Sequence, residues 1–290
     1  ALESVLAACA GRPSPARVPP PRRVSGTRES ITDFTTAQAC ASVVGMWMGL
    51  GALAVRPVQA DDVKVFSAGA VRAIVTDLAE QFRQETGNTV TFSFGTAGQT
   101  RQKLLSGEPV DVVILTDAGI DDMIKQGALA SGSRADLART GMGVGVREGA
   151  PKPDITTSEA FKTTLLKAKS LVYVDPAQGA TSGVHFKSVL ERLGIADAAK
   201  GKTQLVSGGY PAEKVASGEA ELVVHQISEI VPVKGVTLVG PLPPDFQKVT
   251  VYSAGLAPRS PSPAGARAFA AFLAPPAFQP RFAAAGLDYR

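Results

Sequence analysis

The chain has 290 residues, of which 44% are hydrophobic and 19% are charged, a composition typical of a globular protein. Six of its 30 basic residues and three of its 26 acidic residues lie in residues 1–60, so residues 61–290 hold 24 basic and 23 acidic side chains. This near balance removes the charge argument for nucleic-acid binding, and we expect no nucleic-acid partner.

Residues 1–60 have the composition of a leader. The stretch from Ala37 to Val55 is almost wholly apolar, and it is followed by Val58-Gln59-Ala60, a small-x-small cleavage pattern. We therefore expect a signal peptide that is cleaved after Ala60, and a mature protein in the periplasm. An uncleaved membrane anchor is the alternative, because the apolar stretch approaches the length that spans a bilayer.

The first elements of the mature chain form two similar strand–loop–helix junctions. A strand at Val63–Phe66 runs into Ser67-Ala68-Gly69-Ala70 and then into an amphipathic helix. A second strand around Val90–Phe94 runs into Gly95-Thr96-Ala97-Gly98 and then into a second helix. Such junctions leave free backbone N–H groups and the positive end of a helix dipole at one place. Two of them in tandem predict a pocket for a small anion.

Strand and helix patterns alternate through the rest of the chain, which predicts an α/β fold with mainly parallel sheet. The hydrophobic patterns predict strands at residues 110–115, 140–146, 170–174, 205–206, 221–226 and 249–257. They predict helices at residues 117–126, 158–168, 183–193, 211–217, 263–273 and 277–285.

Three segments give the chain a specific resemblance. VFSAGAVRAIVTDLAEQF, SFGTAGQTRQKLLSGEPVDVVILTD and DPAQGATSGVHFKSVLERLG, in this order, resemble the periplasmic molybdate-binding proteins of ABC importers, within the type II periplasmic binding-protein superfamily. The resemblance implies two α/β lobes that close on a ligand. We expect the first lobe at residues 62–141 plus 252–290 and the second at 142–251, with the chain crossing between them near Gly141–Val146 and Lys248–Ala254.

The resemblance also implies a set of ligand-binding residues. That family holds its oxyanion with Ser hydroxyls, backbone N–H groups at helix starts and a Tyr hydroxyl. Two arginines near the starts of the first two helices could bind a carboxylate or phosphate, or could instead be solvated or paired along the helix. The predicted ligand-binding residues are Ser67, Ala68, Gly69, Ala70, Arg72, Thr96, Ala97, Gly98, Arg101, Thr181, Ser182 and His225.

These features predict an extracytoplasmic solute-binding protein of an ABC importer. We expect it to be a monomer, to bind a small oxyanion such as molybdate or tungstate between its lobes, and to have a membrane permease and an ATPase as partners. Two alternatives stay open. One is the same fold binding a small organic di- or tricarboxylate, and the other is a ligand-sensing partner of a membrane receptor.

Catalytic motifs are missing from the sequence. It has no G-x-S-x-G elbow, no phosphate loop with Gly-Lys-Ser/Thr and no H-E-x-x-H. Both cysteines, Cys9 and Cys40, lie in the predicted leader, and the two histidines, His185 and His225, are far apart in the sequence. The chain therefore offers few Cys or His ligands for a metal ion. We therefore expect no enzyme activity, no metal and no cofactor.

Overall fold

A computed structural model describes residues 60–274 and 276–289 of the chain, so residues 1–59 of the predicted leader lie outside the described residues. The strands are β1 (Asp62–Ala68), β2 (Thr89–Gly95), β3 (Val112–Thr116), β4 (Ala135–Thr140), β5 (Met142–Arg147), β6 (Leu171–Val174), β7 (Thr203–Val206), β8 (Leu222–Gln226), β9 (Val236–Pro241), β10 (Thr250–Leu256) and β11 (Asp288–Tyr289). The helices are α1 (Arg72–Thr86), α2 (Ala97–Leu105), α3 (Asp117–Lys125), α4 (Ser158–Lys167), α5 (Thr181–Arg192), α6 (Ala196–Lys200), α7 (Ala212–Ser217), α8 (Pro263–Phe272) and α9 (Gln279–Ala284).

The strands form two mixed sheets. The first has the order β11-β4-β10-β3-β1-β2, and the second has the order β7-β6-β8-β5-β9. In the first sheet β1 pairs in parallel with β2 and β3, whereas β10 runs antiparallel to β3 and β4. In the second, β6 pairs in parallel with β7 and β8, whereas β5 runs antiparallel to β8 and β9. The prediction of mainly parallel sheet is therefore wrong, because the strands next to the crossings, β5 and β10, enter their sheets in the opposite direction.

Each sheet belongs to one lobe of an α/β fold. We call residues 60–141 with 250–289 the first lobe and residues 142–249 the second lobe. The chain leaves the first sheet at Thr140 and enters the second at Met142, and it returns between Pro241 and Thr250. The Gln247 side chain ties these two crossings together, because its Oε1 accepts from the Met142 N–H at 2.7 Å and its Nε2 donates to the Met142 carbonyl at 3.0 Å.

Both faces of each sheet are covered by apolar side chains. In β3, Val112 and Ile114 pack in one hydrophobic cluster, and Val113 and Leu115 pack in another. The strands of the second sheet alternate between two clusters in the same way. Burial on both faces explains why these strands appear in the sequence as continuous apolar runs. None of the described helices is long and apolar enough to cross a membrane.

Two predicted elements differ from the structure. The strand expected at residues 140–146 is β5, which begins at Met142, and residue 140 is instead the end of β4, a strand of the other sheet that the sequence did not predict. The helix expected at residue 183 begins earlier: Ala180 is the N-cap of α5, and Thr181 is its first residue. Thr181 and Ser182 are therefore inside the first turn and do not cap the helix.

Candidate functional site

A cavity of about 90 Å³ lies between the two lobes. Its walls come from the carboxyl ends of β1, β2, β6 and β8, from the loop at residues 208–210, and from Tyr252 in β10. Parallel strands end at the same edge of a sheet, so the two junctions recognised in the sequence meet here. The volume is enough for several water molecules or one small ligand.

The cavity brings together nine of the twelve predicted ligand-binding residues. They come from four segments of the chain, two in each lobe. They are Ala68, Gly69, Ala70, Arg72, Thr96, Ala97, Thr181, Ser182 and His225.

Ser67, Gly98 and Arg101 do not line the cavity. The Ser67 side chain is fully buried, and its hydroxyl donates to the Ala68 carbonyl at 3.0 Å. Arg101 is half exposed, with a guanidinium nitrogen 2.8 Å from an Asp122 carboxylate oxygen. Its place one turn into α2 directs it to α3, whereas Arg72 is the first residue of α1. Gly98 lies at a contact between the lobes, where its N–H donates to the Gly179 carbonyl at 3.1 Å.

The first turn of α2 is occupied by other hydrogen bonds. A capping box joins the side chain and backbone of Thr96 to those of Gln99. Thr96 Oγ1 also donates to the Gln178 carbonyl in the second lobe, and Gln99 Nε2 reaches the Ser207 carbonyl at 3.1 Å. This helix start therefore binds the opposite lobe and contributes less to anion binding than the sequence suggests. In contrast, α5 begins without a side-chain cap, and α1 continues an uncapped 3₁₀ turn at Gly69–Val71, so the N–H groups at these two starts remain available to a ligand.

Arg72 provides a positive charge at the cavity. Its guanidinium carbon lies 4.7 Å from the centre of the Phe94 ring and 5.2 Å from that of the Tyr210 ring. Its Nε is buried and has no hydrogen-bond partner among the described residues. Cation–π contacts with two rings fix the plane of the guanidinium while leaving N–H groups for a ligand.

His225 and Glu229 form a buried ionisable pair at the same cavity. His225 is the fourth residue of β8, and Glu229 follows in a 3₁₀ turn at Ile227–Glu229. His225 Nε2 lies 3.2 Å from Glu229 Oε2, within ion-pair distance but at angles that do not make a hydrogen bond. The residues are only 1% and 7% exposed, so the pair is shielded from solvent.

Tyr252 and Gln226 form a second polar group. The Tyr252 hydroxyl donates to Gln226 Oε1 at 2.8 Å, and Gln226 Nε2 is buried without a partner in the described part of the chain. This bond orients the amide so that its N–H groups are available to a ligand. Burial, and then the negative charge of Glu229, raise the pKa of Tyr252, and the same two causes raise the pKa of Tyr210 to about 12. Both phenols are therefore neutral hydrogen-bonding groups at ordinary pH.

Sequence reasoning missed several of the cavity residues. Tyr210 follows two glycines in a loop, and Tyr252 and Gln226 sit in apolar strands, so none has a recognisable motif. Glu229 did leave a signal, because it lies four residues after His225 and is the one acidic residue between Leu222 and Val233. Among the described residues, no group of three or more His, Cys, Asp or Glu side chains could hold a metal ion.

Comparisons with known proteins add two kinds of relative. The aconitate isomerase of a Pseudomonas species is 34% identical over 228 residues, which cover 77% of this chain and 85% of that protein. The molybdate-binding protein ModA of Escherichia coli is 28% identical over 199 residues, covering 66% of this chain and 75% of that protein. The periplasmic molybdate-binding protein of Azotobacter vinelandii superposes with a TM-score of 0.66 at 23% identity, covering 79% of this chain and 99% of that one, which shows a shared two-lobe fold.

These relatives correct one prediction and establish the family. The expectation that the chain has no enzyme activity is wrong, because a relative with 34% identity bears the name of an enzyme. Absence of known motifs was a weak argument, since proton transfer needs only a well-placed acid or base. A model of the bacterial extracellular solute-binding protein family matches residues 63–288, and the chain belongs to that family.

Proposed function

We propose that this chain binds a small tricarboxylate of the aconitate type between its lobes and interconverts its cis and trans forms. The observation that carries the proposal is the set of ionisable groups that line one cavity, the guanidinium of Arg72 and the buried pair of His225 and Glu229. The relative named aconitate isomerase supports this choice of substrate and reaction.

The cavity has several groups suited to carboxylates. A guanidinium binds a carboxylate through two parallel N–H···O bonds, and the aromatic rings of Phe94 and Tyr210 hold that of Arg72 in one plane. The uncapped start of α5 and the free amide N–H groups of Gln226 supply further donors. Several separated donors suit a ligand with several carboxylates.

The reaction requires movement of one proton. Aconitate is a propene that carries three carboxylates, and one of its end carbons is a methylene. Removal of a methylene proton leaves a carbanion spread over three carbons and the attached carboxylates. Return of the proton to the other end carbon places the new double bond on the former single bond, so the conformation about that bond when the proton leaves decides whether the product is cis or trans. The reaction consumes nothing. Arg72 stabilises the charge that develops on the carboxylates.

Oxyanion uptake is the second candidate, favoured by the two molybdate-binding relatives with 28% and 31% identity. In that case the protein would deliver molybdate or tungstate to a permease and an ATPase, and it would work outside the cytoplasm. The buried carboxylate of Glu229 repels a tricarboxylate as well as a molybdate dianion, so repulsion alone does not separate the two candidates. In the isomerisation the same carboxylate has a role, because it lies next to His225 and can stabilise a proton on that ring.

In the test, one sample of the purified protein is incubated with pure cis-aconitate and a second sample with pure trans-aconitate. Proton NMR follows the ratio of the isomers. We expect both samples to approach one common ratio, and unchanged isomers would overturn the proposal. Parallel calorimetric titrations with molybdate and tungstate test the second candidate, which is supported if either oxyanion binds tightly while aconitate does not.

A further inference from the structure

We infer that His225 carries the proton in the isomerisation and that Glu229 positions its imidazole ring. This inference rests on the proposed function. Both side chains belong to the second lobe and line the cavity. His225 is the catalytic residue in this scheme, and Glu229 is a positioning residue that acts through it.

The state of the His225 ring is the first argument. Neither ring nitrogen makes a hydrogen bond to any described residue, although the side chain is almost completely buried. The other histidine, His185, has its Nε2 2.8 Å from the Phe246 carbonyl. A buried polar atom without a partner is costly, so such groups in folded proteins usually serve a ligand or a reaction. The cavity beside His225 is the place for that ligand.

The position of Glu229 is the second argument. Its Oε2 lies 3.2 Å from His225 Nε2, so a small rotation makes a hydrogen bond. Its Oε1 faces the first lobe, where a Cβ on Gly69 would lie only 2.7 Å away. A carboxylate at Nε2 favours the tautomer with the proton on that nitrogen, and this leaves Nδ1 with a free lone pair. Nδ1 is therefore the base.

The proton transfer is balanced within the site. Nδ1 of His225 takes a proton from the methylene carbon, whose C–H bond breaks while its electron pair stays on the three-carbon unit. The imidazolium is stabilised by the Glu229 carboxylate. It then gives the proton to the other end carbon, where a C–H bond forms, and the ring returns to its neutral state. One base can perform both transfers because the two end carbons of aconitate are separated by only one carbon atom.

The two tyrosines at the cavity are poorer bases. The Tyr252 hydroxyl already donates to Gln226 Oε1. Tyr210 has its pKa raised to about 12, mainly by burial, so its phenolate is scarce at neutral pH. His225 is the remaining candidate, because its ring nitrogens are buried and make no hydrogen bond to the described residues.

The experiment compares His225→Asn, Glu229→Gln and the control His185→Asn with the wild type. It measures kcat and KM for aconitate, exchange of the methylene protons in D₂O by NMR, and the melting temperature. We expect His225→Asn to lower kcat and the exchange rate by about 10²–10⁴-fold with KM unchanged. Glu229→Gln keeps the shape but loses the charge and can bind the other tautomer of the ring, so it lowers kcat by about 10²–10⁴-fold. His185→Asn keeps the wild-type kcat.

The outcomes separate this inference from the proposed function. A wild type that isomerises aconitate, together with a folded His225→Asn variant of unchanged kcat, overturns the role of His225 and leaves the proposed function standing. If His225→Asn does not fold, Glu229→Gln decides, and an unchanged kcat in that variant overturns the pair. A wild type that neither isomerises aconitate nor exchanges its protons overturns both.

Discussion

The close contact between the lobes at Gly98 can be tested by a substitution that adds one methyl group, Gly98→Ala. A Cβ at this position would lie 2.7 Å from the Gln178 carbonyl oxygen and 2.9 Å from the Gly179 Cα. Both atoms are backbone of the second lobe, so they cannot turn aside as a side-chain end would. Alanine is well tolerated inside α2 itself. We therefore expect Gly98→Ala to leave each lobe folded and to keep the lobes apart.

The cost can be worked out from the hydrogen bonds that cross between the lobes here. The Gly98 N–H donates to the Gly179 carbonyl, and the Gln99 side chain donates to the Ser207 carbonyl. Each is worth about 0.5–1.5 kcal/mol net, so the loss of these two alone destabilises the closed state by about 2 kcal/mol, and loss of the bonds from Thr96 and Gln99 to Gln178 adds to this cost. Since the closed state binds the ligand, the apparent Kd rises by at least about 30-fold.

Isothermal titration with trans-aconitate measures this change. The matched control is Gly201→Ala, because a Cβ at Gly201 meets no atom within 4 Å. We expect the control to keep the wild-type Kd and both variants to keep the wild-type melting temperature without ligand. A Gly98→Ala variant that binds as tightly as the wild type would refute the argument that close approach at this glycine is needed for binding.

Three further predictions follow from the cavity. Arg72→Gln removes charge-assisted hydrogen bonds worth about 1.5–3 kcal/mol and should raise KM for aconitate by about 10- to 150-fold in steady-state kinetics, whereas Arg101→Gln, outside the cavity, should not change KM. Tyr252→Phe removes the bond that orients the amide of Gln226, so KM should rise by about threefold to tenfold, and an unchanged KM would show that this amide does not bind the ligand. Tyr210 keeps its proton in the folded state up to a pKa of about 12, whereas an unfolded tyrosine loses it near 10.0, so the folded state is destabilised as pH rises between these values. Melting temperatures across this range should therefore fall less steeply for Tyr210→Phe, and equal slopes would contradict the burial of this phenol.

The parts of the fold that depend on local pattern were predictable. Apolar runs such as that of β3 indicate a strand covered on both faces, and small residues after β1 and β2 mark the helix starts at the cavity. The direction of β5 and β10 was not predictable, because it depends on how the chain crosses between lobes. The strand β4 was not predicted, because its sequence ADLART includes charged residues and has no continuous apolar run.

The site was predictable only in part, for a related reason. Residues next to a strand–helix junction, such as Arg72 and Thr181, reach the cavity through local geometry. Tyr210, Gln226 and Tyr252 reach it because segments far apart in the chain meet when the lobes come together, and no local pattern reports this. The activity could not be predicted for the same reason. The absence of catalytic motifs does not exclude a histidine and a glutamate that only the fold brings together.

The most direct test of isomerase activity counts turnovers. The purified protein is mixed with a large molar excess of trans-aconitate, and the cis-aconitate formed is measured against the amount of protein and against a blank without protein. A catalyst with His225 as its base forms many molecules of cis-aconitate per protein molecule, at a rate proportional to the protein concentration. A binding protein without this chemistry leaves the isomer ratio equal to that of the blank, and that result would contradict the proposed function.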